Sequence, residues 1–150
     1  MRVDEVMTKD VETISPDETA VVAWDRMRQA GIHHLVVTRG PKIVGILSDR
    51  DIGGRRGESV RARASVEDLM TRAVVTVAPT DTIRRVANMM RGRTIGCMPV
   101  VARRRIVGIV TVSDLLLILG GGADRPAPKQ RAALHYRSPH RKRHGSRGAW

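Results

Sequence analysis

The sequence predicts an α+β fold made of tandem β-α-β-β-α repeats with pseudo-two-fold symmetry. Two observations carry that prediction. Sliding the chain by 63 residues aligns Met7–Ile52 with Met70–Leu115 without a gap, giving 15 identities in 46 positions. Within each copy, an apolar stripe at helical spacing is flanked by short apolar runs bounded by turn residues. Composition adds a constraint on the core. The 150 residues are 41% apolar but only 2% aromatic, with no Phe, so the interior has to be packed from Val, Ile, Leu, Met and Ala.

Each copy opens on a short extended piece, Glu12–Ile14 or Val75–Val77. A proline and a capping residue follow, Pro16 with Asp17 and Pro79 with Thr80, and mark the start of a helix. That helix places Ala20, Ala23, Trp24 and Met27 on one face, and its twin places Ile83, Val86, Ala87 and Met90. Two strands come next, Leu35–Thr38 and Ile43–Leu47 around the turn Arg39-Gly40-Pro41. Their twins are Met98–Ala102 and Ile106–Val110 around Arg103-Arg104. A second helix is expected from about Asp49 and from about Ser113, the latter ended by Gly120-Gly121-Gly122. Gly53–Ala64 reads as a linker. One copy alone buries little apolar surface. The two copies should therefore pack against each other, leaving two related clefts at the seam. The implied units are repeat 1 (residues 1–60), repeat 2 (61–122) and a basic tail (123–150).

Several function classes are disfavoured. Cys97 is the single cysteine, so no internal disulfide forms and a reducing, cytoplasmic setting is expected. No apolar run approaches the roughly 20 residues that span a bilayer, and the start Met-Arg-Val-Asp-Glu shows no export signal. CxxC and HExxH metal spacings are missing. No nucleophile with its base is visible, so no catalytic role is expected. The net charge is +12, and it is concentrated at one end. Arg125–Trp150 carries eight basic residues and no acid. This segment reads as a solvated extension, or alternatively as a nucleic-acid contact acting by phosphate neutralisation, with the repeats as a dimerising scaffold. Only Tyr136 and Trp150 could stack on bases there.

The chemistry that repeats is a polar motif after an apolar strand. Gly45-Ile46-Leu47-Ser48-Asp49-Arg50-Asp51 matches Gly108-Ile109-Val110-Thr111-Val112-Ser113-Asp114 as G-h-h-[ST]-x-x-D. A hydroxyl where a strand enters a helix sits beside unpaired N–H groups and the positive end of the helix dipole, which suits phosphate. A carboxylate one turn later suits a vicinal diol such as ribose. The competing reading is that Ser48 and Thr111 are helix N-caps and that each Asp complements the dipole. His33 and His34 are adjacent on an extended stretch, so they should point to opposite faces and not bind a metal together. Cys97 lies in an apolar run and reads as a small core residue.

The two motifs, the Val6-Met7-Thr8 and Leu69-Met70-Thr71 openings, and Met98-Pro99-Val100-Val101 together resemble the paired cystathionine-β-synthase-type (CBS) domains, or Bateman modules. The resemblance covers residues 5–119. It implies a non-catalytic regulatory module for signal transduction that binds an adenosyl ligand such as AMP, ADP, ATP, NAD or S-adenosylmethionine. It needs no cofactor and usually pairs into a flat homodimer. Output would pass through dimer shape, the tail or a protein effector. By the resemblance, Asp51 and Asp114 hold ribose hydroxyls, Ser48 and Thr111 meet phosphate or ribose oxygens, and Ile46 and Ile109 flank the base. The Asp114 cleft takes Thr8, Val11, Ile32, His33 and His34. The Asp51 cleft takes Thr71, Val74, Ile95, Gly96 and Cys97. Arg50, which has Ser113 as its twin, either draws phosphate to the Asp51 cleft or merely points to solvent. Repeat 1 has Val36 where the family often has proline, so its strand entry is expected to differ.

Overall fold

The computed structural model describes residues 1–121. The basic tail and its nucleic-acid reading lie outside the described residues. The chain is a mixed α/β pair of repeats. Repeat 1 contains β1 (Thr13–Ile14), α1 (Ala20–Ala30), β2 (His34–Arg39) and β3 (Lys42–Ser48). Then come α2 (Glu58–Arg63) and α3 (Val66–Leu69), followed by α4 (Ile83–Arg93), β4 (Cys97–Ala102), β5 (Arg105–Thr111) and α5 (Val112–Gly121). In the first sheet β1 runs parallel to β2, and β2 antiparallel to β3. In the second sheet β4 and β5 are antiparallel.

The expected caps are displaced. Thr19 and Thr82, not Asp17 and Thr80, cap α1 and α4, accepting from the N–H groups of Val22 and Arg85 at 3.2 Å. The proline and the residue after it fall in the preceding turn. The strand-entry difference between the repeats has a backbone cause. Val36 donates its N–H to Glu12 at 3.1 Å, and this completes the Thr13–Ile14 strand. Pro99 has no N–H to give, so repeat 2 keeps only the bridge between Val77 and Val100.

Both hairpins close with two residues. In the second, Arg103 and Arg104 take left-handed φ of 53° and 65°. Two such residues suit a turn that prefers Asn-Gly. Changing Arg103-Arg104 to Asn-Gly is expected to raise stability by about 1 kcal/mol, read as the denaturant midpoint. A lowered midpoint would mean that the arginine side chains hold the turn.

The helix expected from Asp49 is absent. Residues 49–53 turn, and a 3-10 turn follows at Gly54–Arg56. Gly53 and Gly54 adopt φ of +86° and +58°, a conformation that cannot continue a right-handed helix. The supposed linker instead contains α2. Arg61 of α2 is 5% exposed. It donates to the carbonyls of Ile52, at 3.0 Å, and Gly54, and its guanidinium lies 4.0 Å over the Trp24 ring. The Ile52 carbonyl is thus held by a side chain in place of a helical ladder, and the Gly54 carbonyl by that side chain together with the Gly57 N–H.

The repeats exchange their leading segments. Val3 donates to Asp81, Asp4 to Pro79, and Ile83 to Met1, at 2.9–3.0 Å. The twins of these bonds run from Val66 to Glu18, Glu67 to Pro16 and Ala20 to Ala64, again at 2.9–3.0 Å. Val3 is buried in the second repeat's core with Val86, Met98 and Val110. Val66 and Met70 are buried in the first repeat's core with Met27, Leu35 and Leu47. Each core is therefore finished by the other repeat's leader.

Candidate functional site

The exchange builds the seam. Thr8 pairs with Ile109 through reciprocal N–H to carbonyl bonds of 2.9 Å, and Thr71 pairs with Ile46 at 2.8 and 2.9 Å. The motif glycines make room for this. A Cβ on Gly108 would lie 2.5 Å from Met7 Sδ and 3.1 Å from the Thr8 carbonyl oxygen. A Cβ on Gly45 would lie 2.6 Å from Met70 Sδ and 3.0 Å from the Thr71 carbonyl oxygen. The first residue of each motif and the Met-Thr opening of the other copy are two halves of one contact.

After each seam strand, the hydroxyl and the carboxylate bond to each other. Ser48 N–H donates to Asp51 Oδ2 at 2.8 Å, and Asp51 N–H to Ser48 Oγ at 3.2 Å. Thr111 N–H and Oγ1–H both donate to Asp114 Oδ2, at 2.8 and 3.1 Å, and Asp114 N–H donates to Thr111 Oγ1 at 3.3 Å. These are reciprocal capping arrangements. Only the Thr111 turn opens a helix, α5, so only that end offers a helix dipole. The dipole expected behind Ser48 is missing because the Gly53-Gly54 turn replaces its helix. Asp114 is 3% exposed, and Asp51 is half-buried.

A cleft of about 720 Å3 opens at the seam. The structure gathers the expected Thr8, Val11, Ile32, His33, His34, Ile109 and Thr111 around it. Ser48, Arg50 and Gly96, assigned by resemblance to the second cleft, line this same space. Ile46, Thr71, Val74, Ile95, Cys97 and the two carboxylates Asp51 and Asp114 are not among its lining residues. Cys97 is buried, and burial pushes its thiol up to about 12, which makes it an inert core thiol. Among the described residues no cluster of three or more His, Cys, Asp or Glu side chains could hold a metal.

His33 and His34 both line the cleft, against the alternation expected of a strand. The reason is local: β2 begins at His34, and His33 sits in the preceding bend. His33 Nδ1 lies 2.7 Å from Asp49 Oδ2, and that hydrogen bond is the main cause of the lowered Asp49 pKa. The repeat 2 positions are Gly96 and Val112, so the two ends of the cleft differ in polarity. Asp10, Glu12 and Asp49 also line it. The motif pattern contains no signal for them, because their twins are Ala73, Val75 and Val112.

His34 has its pKa lowered, chiefly by burial and against the opposing pull of Asp49, Asp51 and Asp114. A histidine held neutral in the fold but free to charge when unfolded costs stability below its ordinary value of 6.5. Melting temperature is therefore expected to fall as pH drops through and below 6.5, and His34→Gln should remove that part of the slope. An unchanged slope in the variant would contradict it.

The model of the CBS domain matches residues 3–53 and 66–121. Over 115 residues the chain is 33% identical to an inosine-5'-monophosphate dehydrogenase of Korarchaeum cryptofilum, covering 76% of this chain but 23% of that enzyme. It therefore spans about a quarter of that relative's length. It is 30% identical over 114 residues to the CBS domain-containing protein YhcV of Bacillus subtilis, covering 75% of this chain and 81% of that protein. Among solved structures it resembles the CBS domain pair of protein MJ0100 in complex with 5'-methylthioadenosine and S-adenosyl-L-methionine. That likeness has a TM-score of 0.72 and 29% identity, and covers 81% of this chain and 97% of that one. With two family matches side by side, exchanged leaders and paired G-h-h-[ST]-x-x-D turns, the chain belongs to the CBS domain family as a tandem pair.

Proposed function

We propose that this chain is a non-catalytic regulatory module that binds an adenosyl ligand in the seam cleft. The supporting observation is the cleft itself. At about 720 Å3 it falls in the size range of small-molecule sites, and both repeats supply its walls. Backbone at Ile32–His34 and Gly96 is placed to meet the adenine edge, with Val11 and Ile109 as apolar walls. Thr111, fixed by Asp114, marks the ribose end. Asp114, which lies behind the lining and bonds to Thr111, acts there as the sugar carboxylate once its cap bond loosens, and Asp51 takes the same role in the related cleft of the other motif. The MJ0100 pair, which holds S-adenosylmethionine and 5'-methylthioadenosine, supports an adenosyl ligand here.

Charge narrows the class. Asp10, Glu12 and Asp49 outnumber Arg50 on the lining. A sulfonium or thioether at the 5' position suits that balance better than a triphosphate. Thermal melting of the full chain tests this with millimolar AMP, ATP, NAD, S-adenosylmethionine and 5'-methylthioadenosine. A ligand-linked rise in melting temperature is expected, larger for the sulfur compounds than for ATP and lost in Asp114→Ala. No rise with any adenosyl compound would overturn the reading. A larger rise with ATP would overturn only the charge preference.

A further inference from the structure

The two copies share a fold but not a charge. Met7–Ile52 holds six Lys and Arg against seven Asp and Glu, whereas Met70–Leu115 holds eight against two. Of those two acids, Asp114 is buried and bonded to Thr111, and Asp81 lies 3.6 Å from Arg85. On α4, Arg84, Arg85 and Arg93 stand where α1 has Val21, Val22 and Ala30, and Asn88 stands where α1 has Asp25. In the second hairpin, Arg103 and Arg104 stand where the first has Gly40 and Pro41. All six of these repeat 2 residues are exposed. Among the described residues, Arg84, Arg91, Arg93 and the turn Arg103–Arg105 make no ion pair, whereas Arg39 of repeat 1 is paired with both Asp17 and Glu67.

The placement of these arginines is regular. Arg84, Asn88 and Arg91 fall at i, i+4 and i+7 of α4, a stripe about 10 Å long. Arg84, Arg85 and Asn88 border a shallow groove of about 460 Å3. The short connection at residues 94–96 sends β4 back along α4, and Val86 and Met90 pack with Met98 and Val100. The hairpin therefore returns to the end of the repeat where α4 begins. The leader's Asp4 and Glu5 lie beside that end, and Arg2 bonds to both.

Charge selects the occupant. Residues 125–150 carry eight basic residues and no acid, so this chain's own extension cannot neutralise the face. Neither repeat of a second copy has the surplus of acid that would match it. Arginine presents a planar fork that suits phosphate. Met70–Leu115 contains no aromatic residue, so no base can stack there, and the groups left to hold are phosphates. A duplex offers them at one charge per roughly 1.7 Å of axis. The major groove of B-form DNA, about 12 Å wide, admits a helix, and the narrow groove of duplex RNA does not. We propose that the arginine face of repeat 2, made by α4 and the β4–β5 hairpin, docks on the phosphate backbone of duplex DNA without reading its sequence. None of these arginines lines the seam cleft, so the inference stands apart from the adenosyl reading.

Fluorescence anisotropy of a labelled mixed-sequence DNA duplex, titrated with the full chain at several salt concentrations, tests the docking. The duplication supplies its own control. Arg91→Gln with Arg105→Gln is compared with Arg28→Gln with Lys42→Gln, the same two positions in repeat 1 and the same loss of charge. The wild type is expected to bind with an affinity that falls steeply as salt rises. The Arg91/Arg105 double variant should lose about two from the slope of log affinity against log salt, and the Arg28/Lys42 variant should keep the wild-type slope. Equal losses in both variants would make the effect one of net charge alone and overturn the site. Wild-type binding by both variants would place the contact in residues 125–150 and overturn it as well. The proposal also fails if the wild type does not bind the duplex, or binds a single strand, duplex RNA or anionic phosphatidylserine vesicles more tightly than duplex DNA.

Discussion

Replacing Gly108 with alanine is expected to destabilise the protein by about 2 kcal/mol. Propensity alone predicts the opposite sign, since glycine inside a strand is the less stable choice. The added Cβ would stand 2.5 Å from Met7 Sδ and 2.9 Å from Met7 Cγ, in a seam that has no slack because Thr8 and Ile109 bond in both directions there. Met7 is flexible and belongs to the other repeat, so Met7→Ala in the Gly108→Ala background should recover part of the loss. The two changes together would then cost less than their sum. Denaturant titration of the four proteins reads this directly. A stabilising Gly108→Ala, or strict additivity with Met7→Ala, would show that the leader does not press on β5.

Arg61→Ala is expected to cost about 2–4 kcal/mol, through loss of charged hydrogen bonds and of stacking on Trp24. Arg61 is the bracket that replaces a helix in repeat 1. Without it the carbonyl of Ile52 loses its donor, the carbonyl of Gly54 keeps only the Gly57 N–H, and Ile52, fully buried in the first core, loses its anchor. Arg61→Lys keeps a charge but not the planar guanidinium that stacks on Trp24, and should recover less than half of the loss. If Arg61→Ala melts within a degree or so of wild type, the turn at 49–57 is held by its glycines and not by this side chain.

Much of this fold is legible in the sequence because it is written twice. The helices with their apolar faces, both hairpins and both polar motifs follow from the offset alignment. The resemblance supplied the pairing of Thr8 with the Asp114 side and of Thr71 with the Asp51 side. Three features were not legible for physical reasons. The leader exchange lies outside the aligned block that begins at Met7, although Val3/Val66 and Asp4/Glu67 continue it at the same offset. The helix expected after Ser48 was lost to Gly53-Gly54, where a backbone break outweighed the copy relationship. The caps fell on Thr19 and Thr82, which align as a repeated pair, while Asp17 and Thr80 are only strong capping types read without that symmetry. The cleft residues divide the same way. Thr8, Ile109 and Thr111 follow from the repeat and the resemblance. The His33–Asp49 pair does not, because it has no twin.

The seam cleft is the centre of the account, and backbone amide shifts in a labelled full-length chain titrated with adenosyl compounds test it most directly. The account predicts that Thr8 and His34 of the first repeat and Gly96 and Thr111 of the second move together, on one binding curve, while α4 stays still. Shifts confined to a single repeat, shifts centred on α4, or no movement with any adenosyl compound would contradict it.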